Sequence, residues 1–239
     1  MTSSPTPNEI KTVYKTLLKE YGAQGWWPTT PKGKLSPEYL GGPKSSTEKL
    51  EVMVGAILTQ NTAWTNVERA LSKIHALKLC SVEALLKIKE ARLHAPLKST
   101  GYFRAKAKKI KKLVEFLSIM PVKKLETLGL AESRKALLEV YGIGPETADS
   151  ILLYALAKPS FVIDACTIRI FSRIGLTNKK DNYLAHQAIF QATLPRTVAL
   201  YNEFHALIVT HGKHVCRPKP KCDDCCLVKL CKRIDVTKK

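Results

Sequence analysis

The chain has 239 residues, and its 39 Lys and Arg against 20 Asp and Glu give a formal net charge of +19 at pH 7. This length suffices for one or two domains with a substantial core, and the excess of positive charge favours a polyanionic partner such as nucleic acid. The sequence contains no apolar run near the roughly 20 residues that a membrane-spanning helix needs, so we expect no association with a membrane.

The first ten residues, MTSSPTPNEI, lack the charged and then apolar order of a secretion signal. We therefore expect a cytoplasmic protein, associated with the nucleoid if it is prokaryotic, with reduced thiols. The seven cysteines then call for metal or redox chemistry, rather than disulfides, where they cluster.

Apolar residues at helical spacing predict an amphipathic helix over residues 8–21, which Gly22 ends. The following segment, up to Ser46, is rich in Gly, Pro and Ser and predicts a long loop. The run Trp26-Trp27-Pro28 within it indicates order, because two indoles are large apolar surfaces that seek burial. These rings either fill a gap between two helical lobes or form an aromatic wall for a flipped base.

Capping signals and apolar periodicity predict the remaining elements. Ser45 and Glu48 form a capping box that predicts the start of a largely buried helix. Further patterns predict helices over residues 67–77, 82–88, 166–174, 183–193 and 198–210. Because no period-two segment of useful length occurs, we expect an all-α fold with about ten helices.

A strongly basic helix is predicted to open at residues 99–104. Its cations alternate with an apolar stripe, which indicates a helix with one cationic face. This face is either an ordinary solvated surface or a source of salt-dependent affinity for DNA. The cations are Arg104, Lys106, Lys108, Lys109, Lys111 and Lys112.

A helical hairpin is predicted around Gly142 and Gly144, with Pro145 at the first position of its second helix. A Gly-x-Gly turn at a helix start exposes backbone N–H groups with no side chain in the way, which suits a phosphate oxygen. An ordinary helical hairpin is the alternative interpretation.

Together with Thr147-Ala148 and Val162-Ile163-Asp164, this hairpin resembles the corresponding segment of the endonuclease III (HhH-GPD) superfamily of DNA glycosylases. The resemblance implies that Gly142, Gly144 and Thr147 grip the DNA backbone and that Asp164 drives base excision. Cleavage builds positive charge on the sugar. A carboxylate can either stabilise that charge or activate a water molecule. On its residue type alone, Asp164 would be the N-cap of the following helix.

Three further segments extend the resemblance. Gln60 stands in a segment that resembles the one whose glutamine enters the gap left by an extruded nucleotide. Lyase-competent members carry a lysine where this chain has Glu146, which implies a monofunctional glycosylase. The run of Trp26, Trp27 and Pro28 resembles the base pocket of the 3-methyladenine glycosylase branch. The implied pocket includes Leu50, which departs from the pattern of that branch because an aromatic residue often stands there.

Four cysteines near the C-terminus follow the pattern C-x5-C-x2-C-x5-C, which is spaced for one tetrathiolate site of iron–sulfur or zinc type. The pattern resembles the C-terminal [4Fe-4S] loop of endonuclease III and implies that cofactor. Cys226 could replace Cys225 as a ligand, but the spacing favours Cys225. The loop also carries Lys219, a candidate for phosphate contact. The implied ligands are Cys216, Cys222, Cys225 and Cys231. Surface or capping roles are expected for the upstream His205, His211 and His214.

The resemblance spans residues from about Thr47 to Cys231 and implies two helical lobes with DNA in the cleft between them. One is a six-helix, barrel-like lobe at 44–158 that ends in the hairpin. The other combines 1–43 with 159–239 and holds Asp164 and the cysteine loop, 216–231. The expected partner is double-stranded DNA containing damaged bases, bound by a monomer.

The favoured function is a base-excision DNA repair glycosylase that hydrolyses the N-glycosidic bond of alkylated purines, such as 3-methyladenine and 7-methylguanine. These bases carry a positive charge that weakens the bond and that aromatic faces attract. One alternative is an endonuclease III-like glycosylase for oxidised pyrimidines, uracil or mismatched thymine, with or without AP lyase activity. The other is a non-catalytic DNA-binding module.

Overall fold

The computed structural model describes residues 6–236 and is built from α-helices. Within these residues there is no β-strand, only an isolated bridge between Thr29 and Glu38, so the all-α prediction is confirmed. None of the described helices is long and apolar enough to cross a membrane. The helices are α1 (Pro7–Tyr21), α2 (Ser46–Leu58), α3 (Trp64–Ala76), α4 (Val82–Lys87), α5 (Glu90–Leu97), α6 (Phe103–Ile119), α7 (Val122–Thr127), α8 (Leu130–Leu138), α9 (Pro145–Ser150), α10 (Ala165–Ile174), α11 (Tyr183–Thr193) and α12 (Val198–His214).

Local sequence signals explain most helix ends. The predicted capping box of Ser45 and Glu48 is present at the start of α2. Gly175 ends α10 with a φ of +89°, a left-handed conformation that glycine adopts without a steric cost. Helix α5 was not predicted, because it is short and contains Pro96, which ordinarily signals a break.

The described chain divides into two compact units. The terminal unit combines the residues up to Gln24 with those from Pro159 onward, and the central unit runs from Gly25 to Lys158. The predicted division placed residues 25–43 with the termini, whereas the structure places them in the central unit. The reason is side-chain contact: Trp27 packs on Trp64, and the Thr30 hydroxyl donates to buried Glu51 at 2.8 Å.

Each unit has its own core. In the terminal unit, α12 packs against α1 and α10. Four phenylalanine rings and one tyrosine ring fill the space between these elements, with ring centroids 4.4–6.3 Å apart. They are Phe161, Phe171, Phe190, Phe204 and Tyr201. In the central unit, α2 is buried along most of its length and packs against α6 and a π-helical segment, Ile151–Ala155, that follows α9.

Candidate DNA-binding and active-site residues

The hairpin turn between α8 and α9 has a buried and an open side. Ile143 is buried and its N–H donates to the Val140 carbonyl at 3.0 Å. Gly142 has a φ of +86°, and a Cβ added there would lie 2.3 Å from Lys109 Cγ. By contrast, a Cβ added at Gly144 would have no atom within 4 Å. Gly142 is therefore required for the fold of the turn, while the surface at Gly144 is open for a ligand.

Gln60 connects the end of α2 to this turn. Its Nε2 donates to the Gly142 carbonyl and to Thr147 Oγ1, each at 3.0 Å. Its Oε1 accepts from Lys109 Nζ at 2.5 Å. The structure thus brings Gln60, Gly142 and Thr147, all predicted to bind DNA, into one hydrogen-bonded group.

The prediction that Lys106 lies on an exposed cationic face is wrong, because the side chain is only 2% exposed. Its Nζ donates to the Leu58 and Thr100 carbonyls at 2.8 Å and to Thr62 Oγ1 at 2.6 Å. Burial, with a smaller effect of the nearby Lys109 charge, lowers the pKa of Lys106 to about 8. This lysine ties the end of α2 to the segment before α6.

The cationic face of α6 consists instead of the exposed Arg104, Lys108 and Lys112. Two exposed tyrosines accompany it. Tyr102, which precedes α6 in a left-handed conformation with a φ of +45°, is 78% exposed. Tyr141 lies in the hairpin turn, where Lys108 Nζ is 5.0 Å from its ring centroid. We did not single out Tyr102 from the sequence, although an aromatic residue between Gly101 and a basic helix is a readable signal.

The two consecutive tryptophans belong to an aromatic cluster of the central unit. The Trp27 ring centroid is 5.5 Å from those of Trp26 and Trp64 and 5.1 Å from that of Tyr154. Trp27 is 4% exposed and Trp26 is half-buried, and neither indole Nε1 has a hydrogen-bond partner within residues 6–236. Trp26 is therefore the ring with an accessible surface.

The predicted pocket is only partly assembled. Pro28 is buried directly after the tryptophans. Leu50 instead lines a cavity of about 520 Å³ whose walls include Cys80 and Leu117 but neither tryptophan. The structure therefore gives no support to the grouping of Leu50 with the indole rings, because Leu50 faces a different part of the α2 surroundings.

Asp164 is the N-cap of α10. Its Oδ1 accepts hydrogen bonds from the Thr167 N–H at 2.7 Å and the Thr167 hydroxyl at 2.8 Å. The preceding Val162 and Ile163 are buried. These contacts give the carboxylate one defined orientation next to an apolar wall.

His205 on α12 approaches the same carboxylate, with Nε2 4.0 Å from Asp164 Oδ1. Burial lowers the pKa of His205, against the opposing effect of the Asp164 charge. The ring is 5% exposed, so the expectation of a surface or capping role is wrong for His205. The approach of His205 to Asp164 was not predicted, because α12 is apolar around most of its circumference and its sequence does not single out this histidine.

The cysteine loop is held by the arginines of α10. Arg169 Nε donates to the Cys216 carbonyl at 2.8 Å. Arg173 Nη1 donates to the Arg217 carbonyl at 2.7 Å and lies 3.4 Å from Cys216 Sγ. The Cys231 thiol in turn donates to the Arg173 carbonyl at 3.4 Å. Helix α10 therefore carries Asp164 at its start and anchors the loop from its second half.

The thiols fit the predicted ligand set. Burial raises the pKa of Cys225 to about 11, and the thiols of Cys226, Cys216 and Cys231 act in the same direction. Burial also raises the pKa of Cys231, with smaller effects of Cys216 and Cys222. Each of the four predicted ligands thus takes part in an electrostatic effect between thiols.

Cys226, the alternative ligand, has different surroundings. Burial raises its pKa, and the charge of Glu20 rather than another thiol is the next cause. His211, also expected at the surface, is buried, with Nε2 3.6 Å from Cys225 Sγ and Nδ1 2.8 Å from the Tyr21 hydroxyl. That expectation is wrong because the loop covers the last turn of α12.

The four loop thiols do not form a set whose sulfur atoms all lie within 4.8 Å of one another. Four thiolates on one zinc ion would be about 3.8 Å apart, as follows from zinc–sulfur bonds of about 2.3 Å. In a four-iron cluster each thiolate binds a different iron, so the sulfur atoms stand farther apart. Four thiols are a donor set that both an iron–sulfur cluster and a zinc ion take, so the residues present fit either group.

The helical hairpin and Asp164, which caps the next helix, lie in the middle part of the chain, and the four-cysteine loop follows it. Residues 54–196 match the model of the HhH-GPD superfamily of base excision DNA repair proteins, and the chain belongs to this family.

Several known proteins are similar to this chain. A Methanocaldococcus jannaschii protein, named provisionally as a DNA repair glycosylase, is 40% identical over 93% of this chain and 95% of its own length. Endonuclease III of Thermotoga maritima is 28% identical over 77% of this chain and 83% of its own. The crystal structure of Helicobacter pylori 3-methyladenine DNA glycosylase bound to 1,N6-ethenoadenine has a TM-score of 0.67 and 25% identity, covering 87% of this chain and 97% of that one.

A structure of a trapped endonuclease III–DNA covalent intermediate has a TM-score of 0.74 at 19% identity, over 95% of this chain and 96% of that one. At that identity the likeness shows the fold alone. The predicted family resemblance is therefore confirmed by the family match and by the fold.

Proposed function

We propose that this protein is a DNA glycosylase that releases a damaged base from double-stranded DNA by cleaving its N-glycosidic bond. The observation that carries the proposal is the placement of Asp164. Its carboxylate is fixed by two hydrogen bonds from Thr167, at the positive end of the α10 dipole and beside the buried Val162 and Ile163. This is a defined position for a negative charge, in a family of base excision DNA repair proteins.

The chemistry requires the base to leave the stack, because the glycosidic carbon is inaccessible inside a duplex. Bond cleavage then builds positive charge on the sugar, and Asp164 stabilises that charge or activates a water molecule. His205 is buried at 4.0 Å, and because its pKa is lowered it places no positive charge there that would offset the carboxylate.

DNA binding is assigned to the open surface at Gly144, to the exposed cations of α6 and to Tyr102. Cations near phosphates release counterions on binding, and an exposed aromatic ring can stack on a base. Lys219 is exposed in the cysteine loop and adds a further cation. In this proposal Gln60 leaves its hydrogen bonds to Gly142 and Thr147 when it enters the duplex.

The proposed cofactor is a [4Fe-4S] cluster held by Cys216, Cys222, Cys225 and Cys231. Bound there, the cluster would fix the conformation of the loop. The residues of this chain that support its position are Arg169 and Arg173, through their hydrogen bonds to loop carbonyls.

The proposed substrates are alkylated purines. Trp26 offers a half-buried ring next to buried Trp27, and a cationic base on such a ring gains about 0.5–2 kcal/mol. The similarity to a 3-methyladenine DNA glycosylase supports this choice. The second candidate is a glycosylase for oxidised pyrimidines, uracil or mismatched thymine. The endonuclease III relatives and a thymine/uracil-DNA glycosylase of Methanothermobacter thermautotrophicus, 25% identical over 75% of this chain, favour it.

We further propose that the enzyme lacks AP lyase activity and acts as a cytoplasmic monomer. A lyase needs an amine nucleophile, and the exposed position in the first turn of α9 is occupied by Glu146. Lys106 does not replace it in this proposal, because three acceptors inside the central unit hold its amine.

The test is a panel of single-lesion duplexes incubated with the wild type and with Asp164→Asn. Asparagine is also a good N-cap, so the variant keeps α10 and loses only the charge. We expect release of 3-methyladenine or 7-methylguanine by the wild type, and a loss of at least about 100-fold in the variant. Release of uracil or thymine glycol alone would favour the second candidate. If the wild type binds DNA but releases no base, the chain is a non-catalytic binding module.

A further inference from the structure

A carboxylate, an imidazole and a thiol meet in the central unit at residues that the proposed function does not use. Glu51 lies on α2, His75 in the last turn of α3, and Cys80 between α3 and α4. His75 Nε2 is 2.8 Å from Glu51 Oε2. One donor atom from each of the three residues lies within 4.8 Å of the other two.

The carboxylate of this group is oriented from its far side. Glu51 is 1% exposed, and the Thr30 N–H donates to both of its oxygens at 3.1 Å. The Thr30 hydroxyl donates to Oε1 at 2.8 Å. Hydrogen bonds of this kind fix the orientation of the residues that bind the metal directly in protein metal sites. Oε2 is the oxygen that faces His75.

We propose that Glu51, His75 and Cys80 form a zinc-binding site. Nitrogen, sulfur and carboxylate oxygen are the donor types that zinc takes, at about 2.0–2.3 Å, which separates the donors by about 3.3–3.8 Å. The present separations are at most 4.8 Å, so small side-chain movements suffice. Three protein ligands leave one tetrahedral position for water.

The charges of the site balance. A thiolate and a carboxylate offset the two positive charges of zinc, so the buried site is neutral when loaded. Binding displaces the thiol proton, which Cys80 now donates to the Thr47 carbonyl at 3.8 Å. A neutral His75 ring that binds through Nε2 carries its proton on Nδ1 instead of in the hydrogen bond to Glu51, so the imidazole stays neutral. The thiol proton passes to solvent, which Cys80 reaches because it is partly exposed.

The ion would join three segments of the central unit that local structure leaves separate. These segments are α2, the end of α3 and the residue before the N-cap of α4. The loop that carries Thr30 is attached to them through its hydrogen bond to Glu51. A ligand that binds only the folded chain raises the midpoint of thermal unfolding. Zinc would therefore stabilise the part of the central unit in which these three segments meet.

The experiment uses the full chain with its C-terminal cofactor loaded, treated with a mild chelator and then offered Zn²⁺ or Co²⁺. Cobalt serves as a spectroscopic probe because a Co–thiolate bond gives a near-ultraviolet charge-transfer band. We expect about one tightly retained ion per chain, the charge-transfer band and a raised unfolding midpoint. Cys80→Ser should lose the band, and His75→Gln should lose retention at least tenfold. His94→Gln, on α5, is the matched control and should behave as the wild type.

Retention of the same ion by Cys80→Ser and His75→Gln would overturn the proposal, because the metal would then be bound elsewhere. A wild type that binds neither ion would overturn the proposal and show that the group is only a hydrogen-bonded His75 and Glu51 beside a thiol. A second measurement, alkylation of Cys80, needs only the wild type and therefore does not depend on whether the variants fold. Zinc should slow alkylation of Cys80 by iodoacetamide at least tenfold, and an unchanged alkylation rate would refute the site.

Discussion

Replacing Lys106 by methionine tests whether this lysine is a structural residue. Methionine keeps the length of the chain but donates no hydrogen bond to the Leu58 carbonyl, Thr62 Oγ1 or the Thr100 carbonyl. The Thr62 hydroxyl still donates to the Thr100 carbonyl, at 2.5 Å, so one or two buried acceptors lose their partner. At about 1–3 kcal/mol for each acceptor, we expect the free energy of unfolding to fall by about 1–6 kcal/mol. Urea unfolding at pH 7 measures it.

The same variant has a pH signature. The pKa of Lys106 is lowered to about 8 from 10.5, so between these values the unfolded state binds more protons than the folded state. The free energy of unfolding therefore rises by up to about 3 kcal/mol as pH increases through that window. The gain is lost as pH falls back to the folded-state pKa. The stability difference between the wild type and Lys106→Met should grow from pH 7 to pH 10.

Lys108→Gln is the matched control for Lys106→Met. Lys108 is exposed on the same helix, so its loss should leave stability within about 0.5 kcal/mol. It should reduce the salt dependence of DNA binding by about one counterion. Lys106→Met should leave that salt slope unchanged. A normal stability for Lys106→Met together with a reduced salt slope would refute the structural role and restore the predicted DNA contact.

Three other outcomes are expected. Gly144→Asp should weaken binding to undamaged duplex at least tenfold in a fluorescence titration while leaving urea unfolding unchanged, since a Cβ there meets no atom; equal affinity would contradict the phosphate contact. The wild type should hold about four iron atoms per chain, which Cys225→Ala should lose and Cys226→Ala should keep. An iron analysis that gives the reverse result would show that Cys226 is the ligand. Borohydride should trap no covalent complex of the wild type with cleaved DNA, because Glu146 provides no amine, and efficient trapping would show that another lysine acts as the nucleophile.

Signals that act within a few residues were readable from the sequence. The capping box of Ser45 and Glu48 begins α2, and helical periodicity gave the bounds of α11. The position of Asp164 directly before a helix predicted the cap that it forms. These features are local because a cap, a helical face or a tight loop is determined by neighbours in the chain.

The basic helix shows where a readable signal was misinterpreted. Lys106 was grouped with the other cations by charge, although it stands at helical spacing from Ile110, Leu113 and Leu117, all of which are buried. A lysine on the apolar face can be buried when its amine reaches enough acceptors, and only the packing of α6 near the end of α2 supplies them.

Contacts between residues far apart in the sequence were decided by the tertiary structure alone. Gln60 meets Gly142 across 82 positions, and His205 reaches Asp164 only because α12 packs on α10. Glu51, His75 and Cys80 form a group only because α2 and the end of α3 meet. Composition and periodicity indicate which face of a helix is buried, but not which helix covers it, since that depends on how all the faces pack at once.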